Sequence, residues 1–165
     1  MLEIKKMLVP TDLSDRANEV TAYAGELAKL LQCEVSLLTV YTPAESLENN
    51  VHPAAEIALS YIEEQAKQRG LSVREYLEAD IRKELAQISQ KYFDGKATIH
   101  VQPGKPFVEI CRLAREGAFD LIVMGTHGRT GLSHVLIGSV AEHVVRKAPC
   151  SVYVVKPKDF KFELP

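Results

Sequence analysis

The sequence predicts an α/β fold: a parallel sheet with helices on both faces. Three observations carry this. Short apolar runs alternate with segments of helical periodicity from one end of the chain to the other. The run Leu121–Met124 is apolar without alternation, as strands covered on both faces are. That run then opens into a long stretch punctuated by Gly125, Gly128, Gly131 and Gly138, a loop at the carboxyl end of a parallel strand.

The elements follow in order. Ile4–Val9 is the first strand, and Pro10, with no N–H for a ladder, is expected to end it. Thr11, Asp12 and Ser14 come next, residue types that bond backbone groups at turns and helix starts. Ala17, Val20, Ala24, Leu27 and Leu31 recur at helical spacing, so a helix runs to about Leu31. Glu34–Val40 is the second strand, and the helix between the two makes a right-handed parallel βαβ unit. Tyr41–Pro53, with Pro43, Asn49, Asn50 and Pro53, reads as an irregular surface connection.

Ala54–Arg69 is helical and breaks at Gly70. Ser72 and Glu75 form a capping box that opens another helix, with Val73, Leu77, Ile81, Leu85, Ile88 and Tyr92 on its packing side. Arg74, Glu78, Arg82 and Lys83 make its solvated face, and Asp94-Gly95 ends it. Ala97–Val101 is the third strand. Pro106 suits the first turn of the next helix, which carries Phe107, Ile110, Cys111 and Ala114 and closes at Gly117. Leu121–Met124 is the fourth strand, Ser139–Lys147 the last helix and Ser151–Val155 the fifth strand. Residues 1–156 are expected to form a single domain and 157–165 a short C-terminal tail.

Composition bounds the function. The chain has 165 residues, 46% hydrophobic and 25% charged, which is ordinary for one globular domain. A net charge of −2 gives no global attraction to nucleic acid or an anionic membrane, so an anion site must be local. No apolar run is long enough to span a bilayer, and MLEIKKMLVP lacks the core and cleavage site of a signal peptide. Cys33, Cys111 and Cys150 are isolated in apolar segments, as small core residues in a reduced, cytoplasmic setting. His52, His100, His134 and His143 show no paired metal-ligand spacing, so no metal site is expected from the protein itself.

The stretch with chemistry is Leu121–Val140. Glycines let backbone N–H groups close on a ligand and build an anion-holding concavity. A helix opening at Gly138-Ser139 adds unpaired N–H groups and the positive end of its dipole. Most strand-to-helix connections run about 2–6 residues, and this one is more than twice that. The chemistry asks for a phosphate.

Two common nucleotide signatures are absent. Thr11-Asp12-Leu13-Ser14 follows the first strand where a Rossmann domain needs G-x-G-x-x-G. Gly95-Lys96 and Gly104-Lys105 are not followed by Ser or Thr, which excludes a P-loop. Asp12, Thr126 and Lys156 stand at strand ends much as in a response-regulator receiver. The acidic pair and the aspartate ending the third strand are missing, which argues against phospho-acceptor chemistry.

The residues resemble the universal stress proteins, in particular their ATP-binding subgroup. That subgroup's G-x2-G-x9-G-[ST] signature stands here as Gly125-x2-Gly128-x9-Gly138-Ser139. KKMLVPTDLS, VSLLTV, VQPGKPFVEI, FDLIVMGTHGRTGL and GSVAEHVVRKAPCSVYVVK are similar to the family's successive elements, covering nearly the whole chain. The resemblance implies a doubly wound five-stranded parallel sheet of order 3-2-1-4-5, an adenine nucleotide alpha hydrolase-like (Usp-like) three-layer sandwich. It implies ATP as ligand, with or without Mg²⁺ or Mn²⁺ on its phosphates.

By the same resemblance, Asp12 lines the nucleoside pocket near the ribose, flanked by Pro10 and Thr11, and the backbone of Val40 meets the adenine edge. Met124 and Gly125 line the ribose and α-phosphate region. His127, Gly128 and Arg129 lie along the phosphate loop, and Gly138, Ser139 and Val140 close over the phosphates. From the residues alone, Asp12 is either a ligand contact or a cap of the first helix, for which Ser14 is the better candidate. His127 and Arg129 either touch ligand or remain ordinary loop residues.

Three functional classes follow: an ATP-binding stress-response regulator or sensor, a slow ATPase, and a ligand-independent adaptor. The complete glycine signature disfavours the adaptor. Hydrolysis needs a positioned water and charge near the γ-phosphate; Arg129 and His127 offer these, but no second carboxylate stands beside Asp12 and the loop has no lysine. Binding is favoured over turnover, and no catalytic residue is assigned. The fifth strand, with Val152, Tyr153, Val154 and Val155 and no charge or proline inside it, is expected to pair a homodimer, as the family's does.

Overall fold

The computed structural model describes residues 3–43, 53–126 and 138–156. Along the chain lie β1 (Lys6–Pro10), α1 (Asp15–Leu31), β2 (Glu34–Tyr41), α2 (Pro53–Gln68) and α3 (Val73–Phe93). They continue with β3 (Thr98–Pro103), α4 (Pro106–Glu116), β4 (Leu121–Gly125), α5 (Ser139–Lys147) and β5 (Ser151–Val155). All five strands form one parallel sheet of order β3-β2-β1-β4-β5, the order the resemblance implied.

The apolar runs explain the sheet's position. Met7, Leu8, Val9, Leu37, Leu38, Ile122 and Val123 are fully buried, because helices cover both faces of the central strands. On one face Val20, Ala24 and Ala28 of α1 and Leu85 and Phe93 of α3 pack against Met7, Val9, Leu37 and Val123. On the other, Ile110 and Ala114 of α4 and Ala141 and Val144 of α5 pack against Leu8, Leu38, Ile122 and Met124. The two faces alternate along each strand, as the pleat requires. Helix α2 packs on α3 outside the first face. Gly25 sets how closely α1 meets α3: a Cβ there would stand 2.7 Å from the Tyr92 carbonyl oxygen.

The local signals formed as read. Ser72 and Glu75 make a reciprocal capping box, Ser14 caps α1, and Pro106 opens α4. The cysteines are half-buried free thiols beside the two clusters, and burial pushes each above its ordinary pKa.

Strand bounds differ in an instructive way. Pro10 is the last residue of β1 and not the first one beyond it, paired in register with Leu38. The next N–H, of Thr11, donates to the Leu38 carbonyl at 2.8 Å. Successive N–H groups alternate sides, so the one proline lacks would have faced β4. There the β1–β4 ladder covers Met7–Leu121 and Leu8–Ile122, short of Pro10, and no bond is lost. β3 likewise runs past Val101 to Pro103, because β2 continues beside it to Tyr41.

At the opposite end of the sheet, β1 and β4 are clipped together. The Asp120 carboxylate accepts the Lys5 N–H at 2.8 Å and the Lys6 N–H at 2.9 Å, while its own N–H donates to the Lys6 carbonyl at 3.0 Å. Those two amide bonds hold the Asp120 carboxyl below its ordinary pKa. A depressed carboxyl contributes stability above its unfolded pKa, about 3.9, and loses it as pH falls through the lower folded value. Asp120→Ala is therefore expected to unfold at lower urea concentration than the native chain at neutral pH. The two midpoints should converge in acid, a comparison that urea titrations at several pH values make directly.

Candidate functional site

The site is built where β1 and β4 lie side by side, because the chain leaves them toward opposite faces of the sheet. From β1 it turns to α1, and from β4 it proceeds to α5 across the sheet. Such a switch point leaves a crevice at the carboxyl ends of the strands. Beyond Leu8–Ile122 the two strands bond to their other neighbours, β1 through Pro10–Leu38 and β4 through Gly125–Val155.

The turn after β1 is held by side chains. Thr11 is buried, and three of its polar groups are bonded inside the protein. Its N–H donates to Leu38, its carbonyl accepts the Thr39 hydroxyl at 3.0 Å, and its own hydroxyl oxygen accepts the Leu13 N–H at 3.1 Å. Asp12, half-buried, accepts the Ser14 N–H at 3.1 Å and the Ser14 hydroxyl at 2.7 Å on one carboxylate oxygen. Ser14 in turn caps α1 by accepting the Ala17 N–H. Of the two readings for Asp12, direct capping falls to Ser14, and Asp12 sits one step outside the helix. Leu13, between them, has φ +63°, a left-handed conformation costing a leucine about 1–2 kcal/mol. Its side chain packs against the α1–α3 cluster, which helps to hold it there.

The other half comes from β4 and α5. Thr126 is buried, its N–H donates to Val155 at 3.2 Å, and its carbonyl accepts the Gly138 N–H at 2.6 Å. The two ends of the glycine stretch are thereby tied together. Gly138 is the N-cap of α5 and offers no side-chain cap. The first intrahelical bond is from Glu142 N–H to the Gly138 carbonyl at 3.0 Å, so the amides of Ser139, Val140 and Ala141 precede the helix's own bonding. His143 Nδ1 donates to the Ser139 carbonyl at 2.6 Å, and its ring lies 4.7 Å from that of Phe107.

Three expected site residues from distant parts of the chain meet on one face. Met124 belongs to the α4–α5 cluster, and Val40 and Val140 pack against it, as does Phe107. They form an apolar floor on the face where α5 begins; Gly125 is the last residue of β4, and Gly138 and Ser139 are the N-cap and first residue of α5. Pro10, Thr11 and Asp12 stand at the neighbouring strand end. A small cavity lined by Arg16, Val20, Gly125, Thr126, Val155 and Lys156 opens on the α1 side of the same strand ends, across the sheet from Val40. His127, Gly128 and Arg129 lie outside the described residues, as does Gly131. Among the described residues no group of three or more His, Cys, Asp or Glu is placed to hold a metal ion, and no helix is long and apolar enough to cross a membrane.

Sequence reasoning missed Thr39, and it marked Thr126 as a strand-end residue without giving it a place in the site. Each is a buried polar residue at the end of an apolar strand, and such a residue implies a partner. Their partners are set by strand order, which periodicity does not give.

The model of the Universal stress protein family matches residues 3–156. Universal stress protein MJ0531 of Methanocaldococcus jannaschii is 34% identical over 154 residues, covering 92% of this chain and 82% of its own. Universal stress protein MJ0577 of the same organism is 30% identical over 161 residues, covering 94% and 96%. The solved structure of MJ0577 superposes with a TM-score of 0.69 over 95% of this chain and 99% of that one, at 29% identity. A universal stress protein solved in complex with cAMP shares the fold, with a TM-score of 0.54 at 24% identity over 93% of this chain and 97% of that one.

Gly138 has φ −68° and ψ 154°, angles any residue adopts, so its backbone does not demand glycine. What glycine does there is keep a side chain off the first amides of α5. Gly138→Asp is expected to stabilise the fold by a few tenths of a kcal/mol through capping. It should also weaken the binding of any anion at the α5 amino end, inorganic phosphate being the probe, by placing a carboxylate beside the first amides of the helix. Thermal denaturation and calorimetric titration of the same preparation check the two signs together.

Proposed function

The chain belongs to the universal stress protein family, and from that premise we propose that it is an ATP-binding stress-response regulator acting as a homodimer. The observation that carries the reading is the start of α5. A helix amino end whose N-cap, Gly138, has no capping side chain stands beside the apolar floor of Val40, Met124 and Val140, at the switch point of the sheet. Helix amides and dipole suit phosphate, and an apolar floor with few polar groups suits a base and ribose. Asp12, an acceptor when ionised, suits ribose hydroxyls.

The residues proposed to hold the nucleotide are Pro10, Thr11, Asp12, Val40, Met124, Gly125, Gly138, Ser139 and Val140, with His127, Gly128 and Arg129 from the glycine stretch. The complete G-x2-G-x9-G-[ST] spacing supports assignment to the ATP-binding subgroup. Mg²⁺ or Mn²⁺ would be carried mainly by the phosphates. The proposed residues bind and orient, and none is proposed to perform chemistry, which favours a sensor over the slow-ATPase reading.

Mass spectrometry of the small molecules released from gently denatured, freshly purified protein tests the ligand. ATP is the expected species; ADP favours the hydrolase, and no nucleotide favours the adaptor. In titrations, Asp12→Asn should lower ATP affinity about tenfold or more, as loss of a charged hydrogen-bond partner does. Repeated ADP release over many turnovers, abolished by Gly128→Ala, would replace the sensor with an enzyme.

The dimer reading rests on β5. It is an edge of the sheet, its Val152 and Val154 are only partly buried, and Tyr153 is exposed. Apolar edges without charge or proline pair readily. Light scattering should give a dimer mass for the native chain and a monomer mass for Val154→Lys. An unchanged mass moves the interface elsewhere.

A further inference from the structure

The two serine-capped helices spend their hydroxyl protons differently. In α3, Ser72 caps the Glu75 N–H and donates its proton to the Glu75 carboxylate at 2.7 Å, so the cap closes within the helix. In α1 the corresponding position is Ala17, which has no carboxylate. The Ser14 hydroxyl oxygen accepts the Ala17 N–H at 3.3 Å, and its proton leaves the helix for Asp12 Oδ1 at 2.7 Å. The direction is forced, because an amide N–H only donates and an ionised carboxylate only accepts. The Ser14 backbone N–H reaches the same oxygen at 3.1 Å, so two donors on one residue fix how that carboxylate is turned.

The backbone bends to allow it. Leu13 takes φ +63°, folding Ser14 back over Asp12, whereas Leu71, which precedes the Ser72 cap, has no positive φ. In the approach to α3 the left-handed residue is Gly70, one position earlier and without a side chain, so the strain at the residue next to the cap is particular to α1.

We infer that Ser14 is a positioning residue of the nucleotide site, aiming the Asp12 carboxylate at the ribose hydroxyls while it caps α1. The inference rests on the reading above that Asp12 meets the ribose. It makes Ser14 a determinant of sugar specificity: the hydroxyl matters to the extent that the ligand has the sugar hydroxyl Asp12 receives.

The test is calorimetric titration of the full chain with ATP, 2′-deoxy-ATP and 3′-deoxy-ATP. The proteins are the native chain, Ser14→Ala, Ser14→Thr, Asp12→Asn and the Ser14→Ala/Asp12→Asn double variant. Ser14→Ala should weaken ATP about tenfold, the scale of a hydrogen bond to a charged group. It should weaken the analogue missing the relevant hydroxyl much less. Ser14→Thr should restore both the affinity and the discrimination, and Ser14→Ala should add nothing in the Asp12→Asn background.

Equal loss on all three nucleotides, or a loss that persists without the Asp12 carboxylate, makes Ser14 a helix cap only and overturns the inference alone. Full ATP affinity in Asp12→Asn, or no nucleotide binding by the native chain, overturns the ribose reading and the inference with it. Should Ser14→Ala fail to fold, Ser14→Gly, which removes the hydroxyl at little capping cost, supplies the same comparison.

Discussion

Everything at the site depends on two neighbouring parallel strands whose chains depart to opposite faces. Between β1 and β4 the shared ladder covers Met7–Leu121 and Leu8–Ile122, and past it each strand is held by its outer neighbour. Pro10 fits this arrangement because its missing N–H falls on the side where no ladder bond is made. At the amino ends the opposite holds: the Asp120 carboxylate joins β1 to β4 through the Lys5 and Lys6 amides. The sheet is tied at one end and open at the other, and the open end carries the candidate site residues.

An opening in a sheet exposes polar groups that must be satisfied, and here the protein satisfies them from within. Thr39 bonds Thr11, Thr11 bonds Leu13, Ser14 bonds Asp12, and Thr126 bonds Gly138. No buried side-chain polar atom among the described residues is left without a partner. Of these bonds, Thr39–Thr11 links β2 to the turn after β1, Thr11–Leu13 and Ser14–Asp12 close that turn on itself, and Thr126–Gly138 joins two backbone groups. The left-handed Leu13 shows how far the backbone departs from comfort to complete them.

The two halves of the site contribute different physics. The α5 start supplies backbone amides and a dipole, features that no side chain lends and that Gly138, having no side chain, does not itself cover. The α4–α5 face supplies an apolar floor from Val40, Met124 and Val140. The β1–α1 turn supplies one oriented carboxylate. A grip divided in this way suits a ligand with a charged end, a flat apolar part and hydroxyls between them.

The sequence by itself determined the elements and their ends wherever the cause was local. Ser72 and Glu75 stand within one helical turn, Pro106 carries its own φ, and the apolar runs of β1, β2 and β4 specify burial on both faces. The bounds of α5 and β5 fell where they were read, and the glycine spacing singled out the stretch proposed for phosphate, of which His127, Gly128 and Arg129 lie outside the described residues. Strand order followed from family resemblance and not from periodicity, since hydrophobic pattern says that a strand is buried but not beside what. Only the tertiary structure decided that Pro10 is paired as the last residue of β1, that Thr39 supports the turn carrying Asp12, and that Val40, Met124 and Val140 share one floor. Those facts depend on which strands are neighbours, and neighbours in a doubly wound sheet are brought together by crossovers that leave no mark at either residue.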